Sequence, residues 1–314
     1  MTKKSIKNIN SKALTQIYIL CKDRLDFARE AIRSAVAQEI NDVEVVVSDN
    51  SDYDAVGKMI TTEFPEVTYI RRWPTLDASQ HFRTVIEESC SEQVVFFHDD
   101  DILAPGYVRE MRNALASYPE VVAVGCNAKV LRGITPTNSL YMTTFKEDVV
   151  LTNAEQLLDS YLRFNKYRAA PFPGYMYRRT AIEGLYLDAR DAGKHSDVTF
   201  LMHIIGRGHL LWLAKPLMQY RLHSSNDSTV ENVGQRLRLL RYIYRNTSIN
   251  PHSPAVQEFR FRYWARWLRS ASKLNNPSLN RWRKPIVLSF LLCQSIRFAF
   301  SKPGLWVRLF SGAR

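Results

Sequence analysis

Three short apolar runs in the first hundred residues each end in a cluster of charged side chains. Gln16–Cys21 (QIYILC) runs into Lys22-Asp23-Arg24, Val43–Val47 (VEVVV) into Ser48-Asp49-Asn50-Ser51-Asp52, and Gln93–Phe97 (QVVFF) into His98-Asp99-Asp100-Asp101. Runs this short, apolar and β-branched read as buried strands. Helix-periodic segments separate them. Asp26–Gln38 puts Phe27, Ala28, Ala31, Ile32, Ala35 and Val36 on one face, and Ala55–Glu63 and His81–Ser89 follow, with a short strand at Val67–Arg71 between them. Alternation at this spacing implies βαβ units and a parallel sheet. Ligands of open α/β sheets bind beyond the carboxyl ends of the strands, so one polar site built from three separate loops is expected.

The rest of the chain continues the α/β pattern with less regularity. Pro119–Val130 adds a turn and a strand, Asn153–Arg163 a helix, and Ala170–Arg178 a loop feeding a strand. Asp197–Gly206 reads as an amphipathic helix, and Leu210–Arg221 as a strand broken by Pro216. With 12 Gly, 13 Pro and 4 Cys in 314 residues, collagen-like and disulfide-scaffold folds are excluded, and 46% hydrophobic residues suffice for a sizeable core. Cys21, Cys90, Cys126 and Cys293 are scattered without a CxxC pair, which argues against a cysteine zinc site and fits a reducing compartment.

Four constellations carry candidate chemistry. In Val94–Leu103 (VVFFHDDDIL) three adjacent carboxylates repel one another, and a hard divalent metal bound to a diphosphate would offset that cost. The competing reading is a solvated acidic turn. Asp49 could accept hydrogen bonds from a nucleobase N–H or ribose hydroxyls, or simply close an Asx-turn. Asp197, at a helix start after His195-Ser196, suits either a cap or an accessible general base. Alternation places Arg221 and His223 on one side of a continuing strand, with His223 able to complete a metal shell and Arg221 near phosphate. A lone histidine is as readily structural.

Taken in order, six segments spanning roughly Thr15 to Asn226 resemble the GT-A family 2 glycosyltransferases, which use nucleotide-diphospho-sugars. They are the first strand loop, VEVVVSDNS (Val43–Ser51), the HDDD run, PGYMYRR (Pro173–Arg179), the Ser196-Asp197 helix start and YRLHSSNDS (Tyr220–Ser228). The resemblance implies a GT-A fold: Rossmann-like, with a mostly parallel central sheet flanked by helices. It implies nucleotide contacts from Cys21, Lys22, Asp23, Arg24, Asp49, Asn50, His81 and Asp99, with Asp49 at the uridine. It implies metal ligation by Asp100 and His223, Asp197 as catalytic base, and further donor or acceptor contacts from His98, Asp101, Gly174, Tyr175, Ser196 and Arg221. Three features depart from the family pattern. Cys21-Lys22-Asp23-Arg24 replaces the commoner Thr-Tyr-Asn-Arg loop, His98 stands where the first Asp of a DxD often is, and Ser196 replaces the usual Glu. The expected cofactor is Mn²⁺ or Mg²⁺, the donor a UDP-sugar, and the reaction transfer with inversion to a hydroxyl of a glycan or lipid-linked acceptor.

Charge is distributed unevenly. The chain carries a net +12, yet residues 231–314 alone hold 16 Lys/Arg against 2 Asp/Glu, leaving residues 1–230 at −2. The expected organisation is a polar tail over 1–14, a catalytic domain over 15–230 and a basic helical region over 231–314. In that region Phe259, Tyr263, Trp264, Trp267 and Leu268 share one arc, and Trp282, Phe298 and Trp306 are interleaved with Arg281, Arg283, Lys284, Arg297 and Arg308. Basic residues with interfacial aromatics suit an anionic membrane surface, while the same apolar faces suit packing on the catalytic domain or on another subunit. Met1–Lys12 has no apolar h-region, and Pro285–Phe300 is too short and too polar for a comfortable span. The expected location is the cytoplasm, peripheral on the inner membrane face, in bacterial surface-polysaccharide assembly, with a homo-oligomer possible. A nucleic-acid partner is disfavoured because the acidic clusters would repel a polyanion. An inactive GT-A scaffold is the other alternative.

Overall fold

The computed structural model describes residues 13–143, 146–162, 169–187, 192–223 and 233–260. Its centre is a ten-stranded sheet with helices on both faces. Four strands run parallel at one end: β1 (Thr15–Cys21), β2 (Val43–Asp49), β3 (Thr68–Arg71) and β4 (Gln93–His98), in the order β3-β2-β1-β4. Helices α1 (Leu25–Val36), α2 (Ala55–Glu63) and α3 (Ala78–Glu88) make the crossovers. Each β1, β2 and β4 side chain alternates between two buried clusters. Tyr18, Val46, Val94 and Phe96 face one, and Ile17, Ile19, Val45, Val47, Val95 and Phe97 face the other. Burial on both faces explains why these strands read as continuous apolar runs.

The register aligns the three strand ends. Cys21 pairs with Asp49, and Leu20 with His98. The polar residues that follow each strand are therefore delivered to one edge of the sheet. The start of α3 is fixed by a capping box in which the Asp77 side chain accepts from the Gln80 backbone N–H, one turn earlier than the apolar periodicity suggests.

The remaining strands extend the sheet as β4-β9-β6-β10-β5. These are β5 (Ile102–Leu103), β6 (Val121–Arg132), β9 (Tyr175–Arg178) and β10 (His209–Leu222), while β7 (Thr135–Leu140) pairs with β6 and β8 (Val149–Leu151) with β10. β9 is antiparallel to both neighbours, and β10 is parallel to β6. Pro216 does not end β10. The strand passes through it with register shifts on either side, because a bulge accommodates a residue that cannot donate to the ladder.

Four further helices are α4 (Tyr107–Ser117), α5 (Ala154–Leu162), the short α6 (Arg179–Ile182) and α7 (Ser196–Ile205). The expectation of an amphipathic α7 is corrected. All of Val198–Met202, with Ile204 and Ile205, is buried, and of the helix's last four residues only His203 is exposed. Phe200 meets Phe82, Phe172 and Tyr177 edge-on at 5.7–6.0 Å, and this aromatic cluster pins α7 to the sheet. Helix α8 (Val233–Asn246) buries Leu239, Leu240, Tyr242 and Ile243 in the same core, as do Val256 and Phe259 beyond it. The expected basic segments from residue 261 onward lie outside the described residues. No described helix is long and apolar enough to cross a membrane.

Candidate functional site

The loop after β1 is shaped by the acidic run after β4. Asp23 adopts φ 55°, a left-handed conformation that a short polar side chain tolerates. The Lys22 backbone N–H donates to Asp99 Oδ2 (2.8 Å), and the Asp23 N–H to Ser51 Oγ (2.9 Å). The Asp52 N–H donates back to Asp23 Oδ1 (2.8 Å), and Lys22 Nζ to Asp52 Oδ1 (2.7 Å). Burial acts to raise the Asp23 carboxyl, but the Asp52 N–H and Lys22 outweigh it and hold the group below its ordinary value.

The His98–Asp101 run is not a solvated turn: Asp99, Asp100 and Asp101 are all buried. Arg24 forks across two of them, with Nη2 2.5 Å from Asp99 Oδ1 and Nη1 2.9 Å from Asp100 Oδ2. His223 Nε2 also lies 2.8 Å from Asp100 Oδ2. Burial acts to raise Asp100, yet His98, Arg24 and His223 prevail and hold it ionised. Asp99 differs. Its burial is complete, and it is pushed up to about 7 against the pull of Arg24 and the Lys22 N–H. Asp101 is raised well above its ordinary value, by burial and by Asp100 beside it.

A metal would fit here. Ligand atoms of His98, Asp100 and Asp101 lie within 4.8 Å of one another. Asp101 Oδ2 is buried without a hydrogen-bond partner, an acceptor in need of a cation or donor. The donor set of one imidazole and two carboxylates suits Mn²⁺ or Mg²⁺.

Asp197 sits in a different environment. It is half-buried at the start of α7, and its Oδ1 accepts from the Val198 backbone N–H (2.9 Å). Burial raises its carboxyl, with His195 opposing. His195 is itself oriented by Tyr161, whose hydroxyl lies 2.8 Å from Nδ1. The Tyr220 hydroxyl is raised by burial, by Tyr141 and by the charges of Asp101, Asp100 and Asp197. Ser196 is half-buried beside Asp197, and its carbonyl accepts from the Thr199 hydroxyl.

Five residues are placed otherwise than expected for direct side-chain contact with a ligand. Cys21 is fully buried and points into the core. Its carbonyl accepts from the Asn50 N–H, and burial drives its thiol upward. Gly174 is buried where an added Cβ would lie 2.8 Å from Met218 Sδ, so its lack of a side chain serves packing. The Tyr175 hydroxyl is buried and accepts from Trp212 Nε1. His81 is buried on the opposite face of β2 from Asp49, with Nε2 2.7 Å from Ser48 Oγ, and burial and Arg72 lower it to about 4. Arg221 has no exposed side-chain surface and turns inward instead of toward a phosphate. Its backbone N–H donates to Asp101 Oδ1 (2.8 Å), its Nε to the Asp100 carbonyl (2.7 Å) and its Nη1 to the Gly133 carbonyl (2.6 Å), and Nη2 pairs with Glu30. It also stacks over Phe27 at 4.3 Å, and Phe27 packs against the His223 ring.

Asp49 shows the Asx-turn alternative: its Oδ1 accepts from the Ser51 N–H (2.9 Å). Its Oδ2 accepts from the Tyr69 hydroxyl and Arg71 Nη1, both at 2.7 Å, and the side chain has no exposed surface. Three of about four acceptor positions are thus filled. Asn50 pins the loop before α3 through paired hydrogen bonds with the Leu76 backbone. Sequence reasoning missed Glu30, Tyr69 and Arg71. Period-2 alternation on β3 puts Tyr69 and Arg71 on one face, and the register opposes Arg71 to Asp49, so only the pairing of β2 with β3 was lacking.

A model of the glycosyl transferase family 2 matches residues 16–185. No curated protein matches the sequence. Among solved structures, a crystal structure of residues 1–349 of TarS from S. aureus is similar at a TM-score of 0.60 and 14% identity, covering 86% of this chain and 77% of that one. The same protein in complex with UDP-GlcNAc gives 0.60 and 14%, covering 90% and 78%. The mannosyltransferase PcManGT from Pyrobaculum calidifontis, in complex with GDP-Man and Mn²⁺, gives 0.54 and 14%, covering 94% and 83%. At this identity the structures share the fold, a mostly parallel α/β sheet flanked by helices.

Proposed function

The chain belongs to glycosyl transferase family 2, and from that premise we propose that it is an inverting, metal-dependent enzyme moving a sugar from a nucleoside-diphospho-sugar to an acceptor hydroxyl. The observation that carries this reading is the pair of opposed carboxylate environments. Asp100 is kept ionised by His98, Arg24 and His223, whereas Asp197 is raised by burial. A raised carboxylate is the better proton acceptor, and an ionised one the better ligand.

In the proposed reaction the acceptor oxygen attacks the anomeric carbon while the bond to the diphosphate oxygen breaks. The hydroxyl proton passes to Asp197. His98, Asp100 and Asp101 would hold the metal, with His223 orienting Asp100 (2.8 Å). A divalent metal there supplies charge neutralisation to the leaving diphosphate. Lys22, Asp23 and Arg24 line the donor side, while Asp99 and Ser51 hold that loop in shape, Asp49 shapes the turn that carries Ser51, and Asn50 pins the loop before α3. UDP is the proposed nucleotide. UDP-GlcNAc and GDP-Man are bound by the structural neighbours.

The test is calorimetric titration of the full chain with UDP, GDP and dTDP, each with Mn²⁺ and with EDTA. Metal-dependent binding of one nucleotide is expected, and no binding of any by folded protein overturns the reading. We further propose that the acceptor is lipid-linked, that the basic C-terminal region holds the enzyme peripherally on an anionic membrane face, and that the product is a surface polysaccharide. The basis is the +14 excess after residue 230. Near an anionic leaflet each basic residue contributes ~1 kcal/mol. Flotation with phosphatidylglycerol vesicles but not with phosphatidylcholine vesicles is expected, and equal behaviour with both removes the membrane reading.

A further inference from the structure

Three consecutive buried carboxylates need a counter-charge even when no ligand is bound, and two guanidinium groups serve them in different ways. Arg221 has a fully buried side chain and is held by Glu30, by the Gly133 carbonyl and by the Asp100 carbonyl. Arg24 is 31% exposed and clasps the carboxylates themselves, Asp99 through Nη2 and Asp100 through Nη1. It comes from the loop that opens α1, one residue after the left-handed Asp23. Arg221 is fixed in the frame, whereas Arg24 reaches the acidic pair from the solvent side.

The two donors on Asp100 Oδ2, from Arg24 and His223, fill both lone pairs of that oxygen. A divalent cation taken up by His98, Asp100 and Asp101 would meet the positive charge of Arg24 and compete with it for Asp100. A diphosphate removes both obstacles. It offers planar, bidentate acceptors to a guanidinium and further oxygen ligands to the cation. We propose that Arg24 is the resident counter-cation of Asp99 and Asp100, and that its transfer to the donor diphosphate makes metal and donor bind together instead of independently. The inference rests on the nucleotide-sugar reading above and adds to it a mechanism of coupling.

Linkage makes the coupling reciprocal, so one titration measures it. Free Mn²⁺ is followed by electron paramagnetic resonance in full-length protein, with and without UDP or GDP. In the wild type the nucleoside diphosphate is expected to tighten Mn²⁺ by about thirtyfold or more. In Arg24→Gln, Mn²⁺ alone is expected to bind about tenfold tighter than in the wild type, with the coupling falling by a similar factor. Should Arg24→Gln not fold, Arg24→Lys carries the comparison. A point charge cannot clasp both carboxylates, so a rise of about threefold in Mn²⁺ affinity is expected. A wild-type coupling factor near one means that neither ligand aids the other, so it overturns the inference and the metal-dependent reading together. Unchanged Mn²⁺ affinity and unchanged coupling in a folded Arg24 variant overturn the inference alone, because metal-dependent nucleotide binding then persists and the functional reading stands. Failure of every protein to bind Mn²⁺ with either nucleotide overturns both.

Discussion

Asp100 beyond β4 and Asp197 at the start of α7 respond to burial in opposite ways, one carboxyl lowered and the other raised. At the strand ends, Asp49 is met by Arg71 and Tyr69, Asp99 by Arg24 and a backbone N–H, and Asp100 by Arg24 and His223. At α7, Asp197 accepts from the N–H of its own helix, and His195 opposes the effect of burial without reversing it. In the proposed reaction the same side chain serves as an ionised ligand in one place and as a proton acceptor in the other. Local charge, and not depth alone, makes the difference: burial raises both, and only Asp100 has the cations to reverse it.

Exchanging each carboxylate for its amide tests the contrast most directly. Asp197→Asn is expected to lower kcat by ~10²–10⁴ with metal-dependent nucleotide affinity unchanged. Asp100→Asn is expected to lower kcat/KM by ~10²–10³ through loss of that binding. The contrast breaks if both variants bind metal and nucleotide alike. The pH profile sharpens it. A base raised above its ordinary 3.8 gives a rate that climbs with pH through the raised value, and Asp197→Asn should flatten that limb.

A smaller effect probes the frame. Arg221→Met leaves Glu30 and the carbonyls of Asp100 and Gly133 without their charged donor. A stability loss of about 4 kcal/mol is expected in urea unfolding. Retention of full stability would mean that the strand-end network does not depend on its buried arginine.

His81 tests the apolar face beneath β2 by pH. Folded His81 stays neutral down to about 4, whereas the unfolded group protonates below about 6.5. The unfolded state therefore gains its proton first. This contribution is fully present above pH 6.5 and is lost as pH falls toward 4, by at most about 3 kcal/mol. Urea unfolding at pH 7.5 and 5.0 should show the slope in the wild type and a shallower one in His81→Asn. The smallest effect expected is from Asp77→Ala, which removes the cap of α3 at a cost of about 1 kcal/mol, read as a shift in Tm with the site unaltered. A loss of nucleotide binding in Asp77→Ala would show that the two regions are not separable.

Much of the site's location was legible because strand-end position follows from periodicity. Gln16–Cys21, Val43–Val47 and Gln93–Phe97 are apolar enough to be buried strands, and whatever follows them must emerge at one edge. Contact was less legible than location. Cys21, Tyr175 and Arg221 lie in motif segments and His81 was expected at the nucleotide, yet each side chain is buried among protein partners. A motif fixes which residue occupies a position. Whether its side chain turns toward ligand or core depends on the packing of distant elements such as α1, which supplies Glu30 to Arg221 across 191 residues of chain.

The sequence by itself determined the α/β alternation, the parallel half of the sheet and the concentration of carboxylates beyond β4, because strand and helix periods and buried apolar runs are local properties. It also set the charge asymmetry of the C-terminal region, which is a matter of counting. Only the tertiary structure decided that Arg24 clasps Asp99 and Asp100, that Arg221 is held by Glu30 and two backbone carbonyls, that Asp49 accepts from Tyr69 and Arg71, and that Pro216 sits within a strand. Each of these depends on register and on contacts between segments far apart in the chain. The pKa of a carboxylate is set by the groups that packing brings to it.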